Sequence, residues 1–422
     1  MKKQNKTITI REYGFICSNP HWIYEDCFSA YVDIDTFEEI KKFLLDEKNQ
    51  SYNILTLSRR NWYGEIIIAQ NYVGVIQTSN GTSIEILPKI SNVTDIGKTR
   101  DIFLKMLKTL KDSPFKNIDK ASLKTQKFPI LEIFISLFLD ELDRLIKRWI
   151  KRNYVLQEEN VWFLKGKLKV AQNIKQNLTH KERFYCQFDE FTENIRENKL
   201  IKKCLTYLNG LSKKEKNKQR IKEFMFVFSD IENTTTVKED LKAIKNLNRL
   251  NNYYADTLQW VRIFLLWQSV VNFVWHTLTL ALLFPMEKIF ESYVAKKLIQ
   301  HNPDWKIKTQ DTAHYLVEHH KDKPKFNLRP DIVINNGEIV ADTKWKLLDG
   351  MDESINYGIS QSDMYQLYAY AKKYKSKKLY LIYPKTDTFT TKLDQFFYHY
   401  FDEKVSLEVV PYDLENDTCD MS

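Results

Sequence analysis

The chain has 422 residues, enough for two or three domains with hydrophobic cores of their own. Hydrophobic residues make up 43% and charged residues 28%, which excludes a mainly disordered chain. Gly and Pro number only 10 each, which excludes collagen-like and linker-rich architectures. The formal charge of +9 is a modest basic surplus. It is compatible with a polyanionic partner, and equally with a lysine-rich proteome.

Cysteine usage and the apolar segments indicate a soluble, cytoplasmic protein. The first eleven residues lack the apolar stretch of a signal peptide. Residues 263–286 carry no charge, but polar residues interrupt them and Pro285 ends them. A core helix that runs into a buried extended segment is therefore favoured over a membrane span. Five scattered cysteines without CxxC spacing argue against a disulfide framework and a structural zinc site: Cys17, Cys27, Cys186, Cys204 and Cys419.

Residues 1–120 are predicted to form a β-rich N-terminal domain. Residues 72–78 and 83–87 are strand-like runs on either side of Asn80-Gly81. That pair accepts the positive φ values of a tight turn, so the two runs are expected to form a hairpin.

Residues 121–280 are predicted to form a mostly helical middle domain, with helices at residues 129–154, 194–209, 213–229 and 241–275. In the first of these, Leu142, Leu145, Ile146 and Trp149 form an apolar stripe. The opposite side carries a basic row, for which a solvated helix face is favoured over a DNA contact. The row consists of Arg144, Lys147, Arg148, Lys151 and Arg152.

Residues 281–422 alternate between helical and strand patterns, which predicts an α/β domain beginning near residue 280. Within it, residues 328–346 contain two apolar strands joined by a short Asn-Gly turn, so they are expected to pair as a hairpin. Asp331 lies at the start of the first strand. Asp342 and Lys344 lie two apart on the second, which places both side chains on the same face.

Two carboxylates on adjacent strands with a lysine beside them form a site of hard oxygen ligands suited to Mg²⁺. A metal there can bind a phosphate oxygen and acidify a water, while the ammonium orients that water or offsets developing negative charge. The pattern is that of the PD-(D/E)xK nucleases: Pro330-Asp331, ten residues, then Asp342-Thr343-Lys344. The bare string occurs by chance, and the strand–turn–strand context is what favours a site.

Two flanking helices supply further candidates. Residues 287–300 are predicted to form an amphipathic helix, on which many nucleases of this fold carry an acidic residue. Glu291 is the candidate here, and an exposed helix glutamate is the alternative. Residues 363–375 form a second helix, on which Gln366 and Tyr370 match the Gln-x-x-x-Tyr motif of some of these nucleases. They are candidates for hydrogen bonds to the DNA backbone, and simple helix packing is the alternative.

Other chemistries are disfavoured. Glu318-His319-His320 lies in a charged run, so exposed residues are favoured over a metal cluster. The sequence contains no GxxxxGK[ST] or GxGxxG loop, so the chain is not expected to bind a nucleoside triphosphate by itself. It contains no Gly-x-Ser-x-Gly or HExxH motif either, which disfavours serine hydrolases and zinc proteases.

The chain as a whole resembles McrC, the nuclease subunit of McrBC-type modification-dependent restriction systems. Segments resembling the family's blocks occur in the family's order over roughly residues 50–385, with Asn194 and Asn198 among them. The first 40 residues and the tail after Thr386 carry no matching motif. The matching segments are YVGVIQ (72–77), SIEILPKI (83–90), FLKGKL (163–168), FYCQFDEF (184–191), FPMEKIFE (284–291), LRPD (328–331), ADTKWK (341–346) and DMYQ (363–366).

The resemblance implies an α+β multidomain protein: a β-rich N-terminal domain, a helical middle and a C-terminal PD-(D/E)xK nuclease domain. It also implies a separate McrB-like AAA+ GTPase that reads DNA, assembles as a ring and translocates DNA. The N-terminal region and adjoining helices would dock into that ring and stimulate its GTP hydrolysis, so GTP would be bound by the partner. A charge of +9 fits a chain that shares its grip on DNA.

The reaction expected on these grounds is Mg²⁺-dependent hydrolysis of phosphodiesters in double-stranded DNA. Asp331 and Asp342 would bind the metal, with the backbone carbonyl of Thr343 as an additional ligand. Glu291 would help directly or through water, and Lys344 would orient the nucleophilic water. Two alternatives stay open, a non-catalytic GTPase-activating scaffold with a vestigial nuclease fold and a stand-alone RecB-like nuclease. A structural RNA-binding protein is disfavoured, because no aromatic–basic RNA motif is present. The DNA target also stays open.

Overall fold

The structure is a computed structural model with two compact units, residues 1–130 with 269–422 and residues 131–268. The predicted first and third domains thus fall largely in one unit, while the predicted boundaries at residues 120 and 280 stay a prediction. No helix of the described residues is both long and apolar enough to cross a membrane. The described residues are 6–19, 28–46, 49, 53–90, 95–110, 113–117, 128–244, 253–266, 278–400 and 403–421.

The strands are numbered in chain order. They are β1 (Thr7–Arg11), β2 (Phe15–Cys17), β3 (Ser29–Tyr31), β4 (Leu55–Arg60), β5 (Gly64–Ala69), β6 (Tyr72–Gln77), β7 (Ser83–Leu87), β8 (Asn153–Val161), β9 (Lys167–Leu168), β10 (Phe184–Thr192), β11 (Leu280–Pro285), β12 (Ile307–Thr309), β13 (Tyr315–His320), β14 (Lys323–Asn327), β15 (Ile332–Ile334), β16 (Ile339–Thr343), β17 (Lys378–Pro384), β18 (Phe396–Tyr400), β19 (Glu403–Asp413) and β20 (Thr418–Cys419).

The α-helices are numbered in the same way. They are α1 (Ile34–Leu45), α2 (Ile96–Leu107), α3 (Ile130–Lys147), α4 (Val170–Gln176), α5 (Arg196–Leu211), α6 (Glu215–Val227), α7 (Val237–Ala243), α8 (Ala255–Leu266), α9 (Met286–His301) and α10 (Gln361–Tyr374). Helices and strands alternate through the chain, which confirms the mixed α/β class.

Two four-stranded sheets form the N-terminal part of the larger unit, in the orders β1-β7-β6-β11 and β3-β2-β5-β4. The predicted hairpin is confirmed: β6 and β7 pair antiparallel, and Gly81 in the turn has a φ of +90°. Strand β11 pairs antiparallel with β6, although some 200 residues of chain separate the two. It is buried throughout, which confirms the predicted extended segment before Pro285.

Gly74 lets β11 approach β6 closely. Its φ is +139°, a conformation that L side chains rarely adopt. A Cβ atom at this position would lie 1.9 Å from the backbone oxygen of Leu282 on β11. Only glycine fits there without a shift of the backbone. The position matters for the site below, because β11 leads directly into α9.

The C-terminal part of the larger unit is a mixed sheet in the order β12-β15-β16-β17-β19-β18, with β20 paired to β19. Strands β16, β17 and β19 are parallel, while β15 and β16 form the predicted antiparallel hairpin. One face packs on α10 through a buried cluster that includes Leu367, Val340 and Leu381. On the other face, Phe290 of α9 contacts Tyr412 with ring centroids 6.1 Å apart. Strand alternation separates the two faces.

Helix α10 has the end signals expected of a stable helix. The side chain of Ser360 caps its N-terminus by accepting a hydrogen bond from the Asp363 N–H. Lys375 ends the helix in the left-handed conformation. Both ends of the helix are therefore defined, which determines where its polar side chains lie against the sheet.

The smaller unit combines helices with a three-stranded sheet in the order β8-β10-β9. The prediction of one helix over residues 129–154 is wrong at its end. Helix α3 stops at Lys147, Trp149 has a φ of +79°, and residues 153–161 form β8 because they pair along their whole length with β10. The predicted helices near residues 194–209 and 213–229 are confirmed as α5 and α6.

The predicted basic row lies only partly on a helix, because α3 ends at Lys147 and the row's last three residues follow it. The preference for a solvated face over a DNA contact stays a prediction. Four side chains of the row form ion pairs: Arg144 with Glu141, Lys147 with Asp143, Lys151 with Glu197 and Arg152 with Glu193. The predicted helix over residues 241–275 is described only as α7 and α8. Residues 245–252 and 267–277, like Cys27, lie outside the described residues.

Candidate active site

Asp331 is held in place by the end of the neighbouring strand. It directly precedes β15, and its Oδ2 accepts hydrogen bonds from the backbone N–H and the hydroxyl of Thr343, both at 2.8 Å. Its Oδ1 accepts a hydrogen bond of 3.1 Å from the side-chain amide of Gln310. The pairing of β15 with β16 produces this arrangement, because it aligns Ile332 with Ala341. Asp331 precedes Ile332 and therefore lies beside the residues that follow Ala341, namely Asp342 and Thr343.

Asp342 is the most buried carboxylate of the cluster, with 2% of its surface exposed. Its Oδ2 lies 2.7 Å from Lys344 Nζ. Among the described residues, the Lys344 ammonium is the partner of this oxygen. Lys344 also lies 3.7 Å from Asp363, so one ammonium is shared between two carboxylates. Buried carboxylates that share a single ammonium are candidate ligands for a cation.

Lys344 connects the carboxylates to helix α10. Its Nζ donates a hydrogen bond of 3.0 Å to Gln366 Oε1, and Gln366 Nε2 in turn donates to the hydroxyl of Tyr370 at 2.6 Å. Burial lowers the pKa of Lys344, but the charges of nearby aspartates, Asp342 first, raise it by more. The ammonium therefore stays charged at neutral pH. Gln366 and Tyr370 lie on one helix face as predicted, and both belong to this network. Tyr370 is also 3% exposed and packs in the buried cluster between α10 and the sheet, as the helix-packing alternative expected.

Glu291 reaches the cluster from helix α9. Its Oε1 accepts a hydrogen bond from the same Gln310 amide that donates to Asp331. Burial raises the pKa of Glu291, and the charge of Asp342 raises it further. The alternative of an exposed helix glutamate does not hold, because Glu291 is partly buried and lies within electrostatic reach of both aspartates.

The three carboxylates repel one another strongly enough to disturb their proton affinities. Burial first, and then the neighbouring Asp331 carboxylate, raise the pKa of Asp342 to about 7. Burial and the charge of Glu291 raise the pKa of Asp331 to about 6, against the opposing hydrogen bonds from Thr343. Such shifts arise where like charges share a desolvated site, and they are typical of functional sites. A cation bound between these carboxylates would relieve their repulsion and lower the pKa of each.

The donor set fits a hard divalent cation held by a small number of protein ligands. Asp331 and Asp342 supply carboxylate oxygens, and the raised pKa of each, caused by burial and by a neighbouring carboxylate, is what favours an ion between them. Among the described residues, no three His, Cys, Asp or Glu side chains are close enough to hold a metal ion together. Mg²⁺ suits such a site, because it usually keeps several waters and takes one or two carboxylates. Glu291 would then act through water.

Two residues of the network were not predicted as site residues. Gln310 comes from the connection between β12 and β13, has a φ of +53° and bridges Glu291 and Asp331, and no sequence pattern marked it. Asp363 lies 3.7 Å from Lys344 Nζ and 3.1 Å from Lys346 Nζ. It precedes Gln366 by three residues on the same helix face, so the helical spacing was a signal that could have identified it.

The disfavoured metal cluster is confirmed as exposed. Glu318, His319 and His320 lie on β13, and each is largely open to solvent. Glu318 forms an ion pair with Lys373 at 2.9 Å. These three side chains are not buried and do not converge on one point, unlike the side chains of the Asp331–Asp342 cluster.

Fold and site together define a mixed α/β protein with a buried cluster of carboxylates and a lysine at the end of a mixed sheet. The family model for the McrBC 5-methylcytosine restriction system component matches residues 67–384, about three quarters of the chain. The chain belongs to this family. No protein of curated function matches it.

Two solved structures are similar to the chain. One is from the refined half-complex of the tetradecameric assembly of Thermococcus gammatolerans McrB AAA+ hexamers with bound McrC. It has a TM-score of 0.69 at 18% identity, over 97% of this chain and 95% of that chain. The other is from the cryo-EM structure of the Thermococcus gammatolerans McrBC complex, with a TM-score of 0.49 at 20% identity, over 70% and 88% of the two chains. The first likeness shows a shared fold over nearly the whole length.

Proposed function

We propose that this protein is the Mg²⁺-dependent endonuclease subunit of a GTP-driven restriction complex, with a nuclease domain of the PD-(D/E)xK superfamily. The observation that carries the proposal is the meeting of Asp331, Asp342 and Lys344 at the end of the β15–β16 hairpin, with Asp342 buried and paired to Lys344 at 2.7 Å. Family membership supports the restriction role, since the family is that of McrBC restriction system components.

In the proposed mechanism, Asp331, Asp342 and the backbone carbonyl of Thr343 would hold Mg²⁺. When bound there, the ion would supply charge to a phosphate oxygen of DNA and lower the pKa of a coordinated water. Lys344 would orient the attacking water and offset negative charge that develops on the phosphate. Glu291, with its raised pKa, would accept a proton through water.

Helix α10 would keep Lys344 aimed at the reacting phosphate. Gln366 accepts a hydrogen bond from the ammonium and is itself held by Tyr370, so the lysine has one defined direction. An ammonium fixed in this way costs little reorganisation at the moment of reaction. Gln366 and Tyr370 are also proposed as contacts to the DNA backbone, because their polar atoms lie beside the cluster.

The partner proposed for this chain is a McrB-like AAA+ GTPase ring whose GTP hydrolysis it stimulates. The similar structure with the higher TM-score is one of McrB AAA+ hexamers with bound McrC. The present sequence contains no nucleotide-binding loop, so GTP would be bound and hydrolysed by the partner. Double-stranded DNA is the proposed substrate, delivered by translocation through that partner.

Exposed apolar side chains indicate a second docking surface besides the N-terminal region. Trp162, Phe163 and Leu164 follow β8 in the smaller unit and are 64%, 67% and 60% exposed. Three consecutive large apolar residues at this exposure are unusual on a soluble protein and mark interaction sites more often than chance. We call these three residues the 162–164 turn. We propose that the 162–164 turn contacts the GTPase in addition to the N-terminal region.

Reconstitution with a partner GTPase of the family tests the proposal. The wild-type complex with GTP and Mg²⁺ should cut double-stranded DNA, and Asp342→Ala should abolish cutting while stimulation of GTP hydrolysis persists. Asp304→Ala, an exposed aspartate in the same domain, is the matched control and should cut normally. Stimulated GTP hydrolysis without any cutting by the wild-type complex would favour the scaffold alternative. Robust cutting by the isolated chain would favour the stand-alone nuclease.

A further inference from the structure

Trp345, the residue after the site lysine, is buried between the N-terminal sheet and helix α9, with 1% of its surface exposed. Its indole N–H donates to both carboxylate oxygens of Glu12, at 3.2 Å and 2.9 Å. Its ring contacts Phe290 with centroids 5.3 Å apart. Trp345 directly follows Lys344 in the sequence, and Phe290 directly precedes Glu291. The indole of Trp345 therefore connects the segment that carries Lys344 with the helix that carries Glu291.

Glu12 is well placed to fix that indole. It is 1% exposed, and its backbone N–H extends the pairing of β1 by donating to Leu87 O at 2.9 Å. Its Oε2 also accepts a hydrogen bond of 2.9 Å from the backbone N–H of Lys89. The carboxylate is therefore anchored to the strand pair β1–β7 on one side and to Trp345, just after β16, on the other.

A polar network continues from Glu12 to the start of helix α9. The ammonium of Lys89 lies 4.2 Å from the ring centroid of Tyr13, and the Tyr13 hydroxyl donates to Asn71 Oδ1. Asn71 then donates to Glu287 in the first turn of α9 at 3.2 Å, and its backbone oxygen accepts from Met286 N–H at 3.0 Å. This part of the network lies at the surface, since Tyr13 is 45% exposed and Glu287 is exposed, so it adds contacts rather than a buried anchor. The N-terminal sheet thus contacts both the strand and the helix of the site.

We propose that Glu12 is a positioning residue for nuclease chemistry, acting through Trp345 to hold the Asp342–Lys344 strand end against helix α9. The expected effect of Glu12 on cleavage rests on the proposed function. Its expected effect on the strand end rests on the contacts alone. A displacement of the strand pair β1–β7 would reach Lys344 through this hydrogen-bonded indole.

Hydrogen exchange and cleavage kinetics on the full chain test the proposal. In Glu12→Ala the indole N–H loses its acceptor, so amides of residues 341–348, including the Lys344 N–H that donates to Ile382 O at 2.9 Å, should exchange at least about tenfold faster. In the reconstituted complex, kcat should fall by about tenfold to a hundredfold, with KM for DNA unchanged. Glu12→Gln keeps an acceptor oxygen and should restore both readouts.

Two further variants separate positioning from general stability. Trp345→Phe keeps the ring contact with Phe290 and loses only the donor, so it should reproduce the effects of Glu12→Ala even if that variant folds poorly. Lys105→Ala removes an ion pair of 2.7 Å to Asp417 elsewhere in the same unit and should leave exchange at residues 341–348 unchanged. Unchanged exchange in both Glu12→Ala and Trp345→Phe overturns the proposal. Faster exchange in a protein whose wild-type complex does not cut supports positioning and refutes the nuclease function.

Discussion

The ammonium of Lys344 lies 2.7 Å from the buried Oδ2 of Asp342. It also donates a hydrogen bond of 3.0 Å to Gln366, so the lysine is held between the carboxylates and helix α10. The same side chain thus offsets part of the charge of Asp342 and has its direction set by the helix.

The first prediction concerns Lys344→Met, which keeps the length of the side chain and removes its charge. Cleavage by the reconstituted complex should fall about a hundredfold or more, because the group that stabilises developing negative charge is lost. The rise in melting temperature on adding Mg²⁺ should persist, because both carboxylates remain. Single-turnover cleavage and thermal melting with and without Mg²⁺ measure the two effects.

Lys377→Met serves as the control for this variant. Lys377 is 83% exposed and pairs with Glu338 at 3.7 Å, so its loss should change neither readout. Wild-type cleavage by Lys344→Met would remove this lysine from the mechanism. Loss of the Mg²⁺ effect would instead show that the lysine shapes the carboxylate site itself.

The second prediction concerns Gln310→Leu. The leucine has a similar volume but no N–H groups, so Glu291 and Asp331 would face each other without the shared donor that now links them. We expect cleavage to fall about tenfold to a hundredfold, as is usual when a residue that orients metal ligands is removed. The concentration of Mg²⁺ needed for half-maximal cleavage should rise as well, and a Mg²⁺ titration of the cleavage rate measures both.

Gln395 provides the control, because its side-chain amide also donates a hydrogen bond to a carboxylate. Gln395 Nε2 donates to the buried carboxylate of Glu408 at 2.7 Å, at a different edge of the same sheet. Gln395→Leu should lower thermal stability and leave the Mg²⁺ requirement of the folded protein unchanged. Equal Mg²⁺ requirements in Gln310→Leu and wild type would mean that the bridge has no part in the site.

The core of the site was predictable because local periodicity determines it. Alternation along β16 places Asp342 and Lys344 on one face, and one helical turn joins Gln366 to Tyr370. Gln310 was not predictable, because it reaches the cluster from an irregular connection with no repeat to reveal it. The contact of Glu12 with Trp345 spans 333 residues of sequence, and no local pattern encodes such a distance.

The error over residues 129–154 has a related cause. Apolar and basic residues keep the helical period as far as Trp149, so the pattern favours a longer helix than the one that forms. The chain leaves the helix because residues 153–161 pair with residues 184–192, and that gain comes from a strand further along the chain. Non-local pairing thus overrides local periodicity here.

The third prediction is a pH dependence of stability that Glu12 causes. Burial raises the pKa of Glu12 to about 7 from its ordinary 4.5, against the opposing charge of Lys89 and with a smaller raising effect from Glu287. The folded state therefore binds this proton more tightly than the unfolded state. The stabilisation is complete below pH 4.5 and is lost as the pH rises through 7.

Comparison with Glu12→Gln isolates that contribution from those of other carboxylates. Without Mg²⁺, the melting temperature of wild type relative to Glu12→Gln should fall steadily between pH 4.5 and pH 7 and then level off. Thermal melting of the two proteins in parallel buffers measures the difference. A difference that stays constant over this range would mean that Glu12 has the same pKa in the folded and unfolded protein.

The fourth prediction tests the 162–164 turn as a docking surface. Replacing Trp162 and Phe163 by serine removes two exposed aromatic rings, so association with the GTPase should weaken at least about tenfold. The melting temperature should change little, because both side chains are mostly exposed already. Binding and stimulated GTP hydrolysis measure the first effect, and thermal melting measures the second.

An exposed aromatic residue outside the turn gives the comparison. Phe226 on α6 is 81% exposed, so Phe226→Ser removes one exposed ring from the same unit and is the comparison for Phe163→Ser alone. It should leave association with the GTPase unchanged. Equal affinity for the double-serine variant and wild type would show that the 162–164 turn is not part of the docking surface.

The last prediction concerns Gly74→Ala. A methyl group there would lie 1.9 Å from Leu282 O at a φ of +139°, so β6 and β11 would have to separate. We expect the free energy of unfolding to fall by on the order of 2 kcal/mol or more, from backbone strain and lost pairing. Because β11 leads into α9 and Glu291, cleavage should fall even in the fraction that stays folded. Urea unfolding and cleavage at a temperature well below melting measure the two effects.

Gly210→Ala gives the opposite expectation for the same chemical change. Gly210 lies in α5, and a Cβ atom there would meet nothing within 4 Å. Because alanine favours a helix over glycine, this variant should be more stable by up to about 1 kcal/mol and should cut normally. Equal stability of Gly74→Ala and wild type would show that β6 and β11 can separate without cost. The close approach of these strands would then have no part in placing α9.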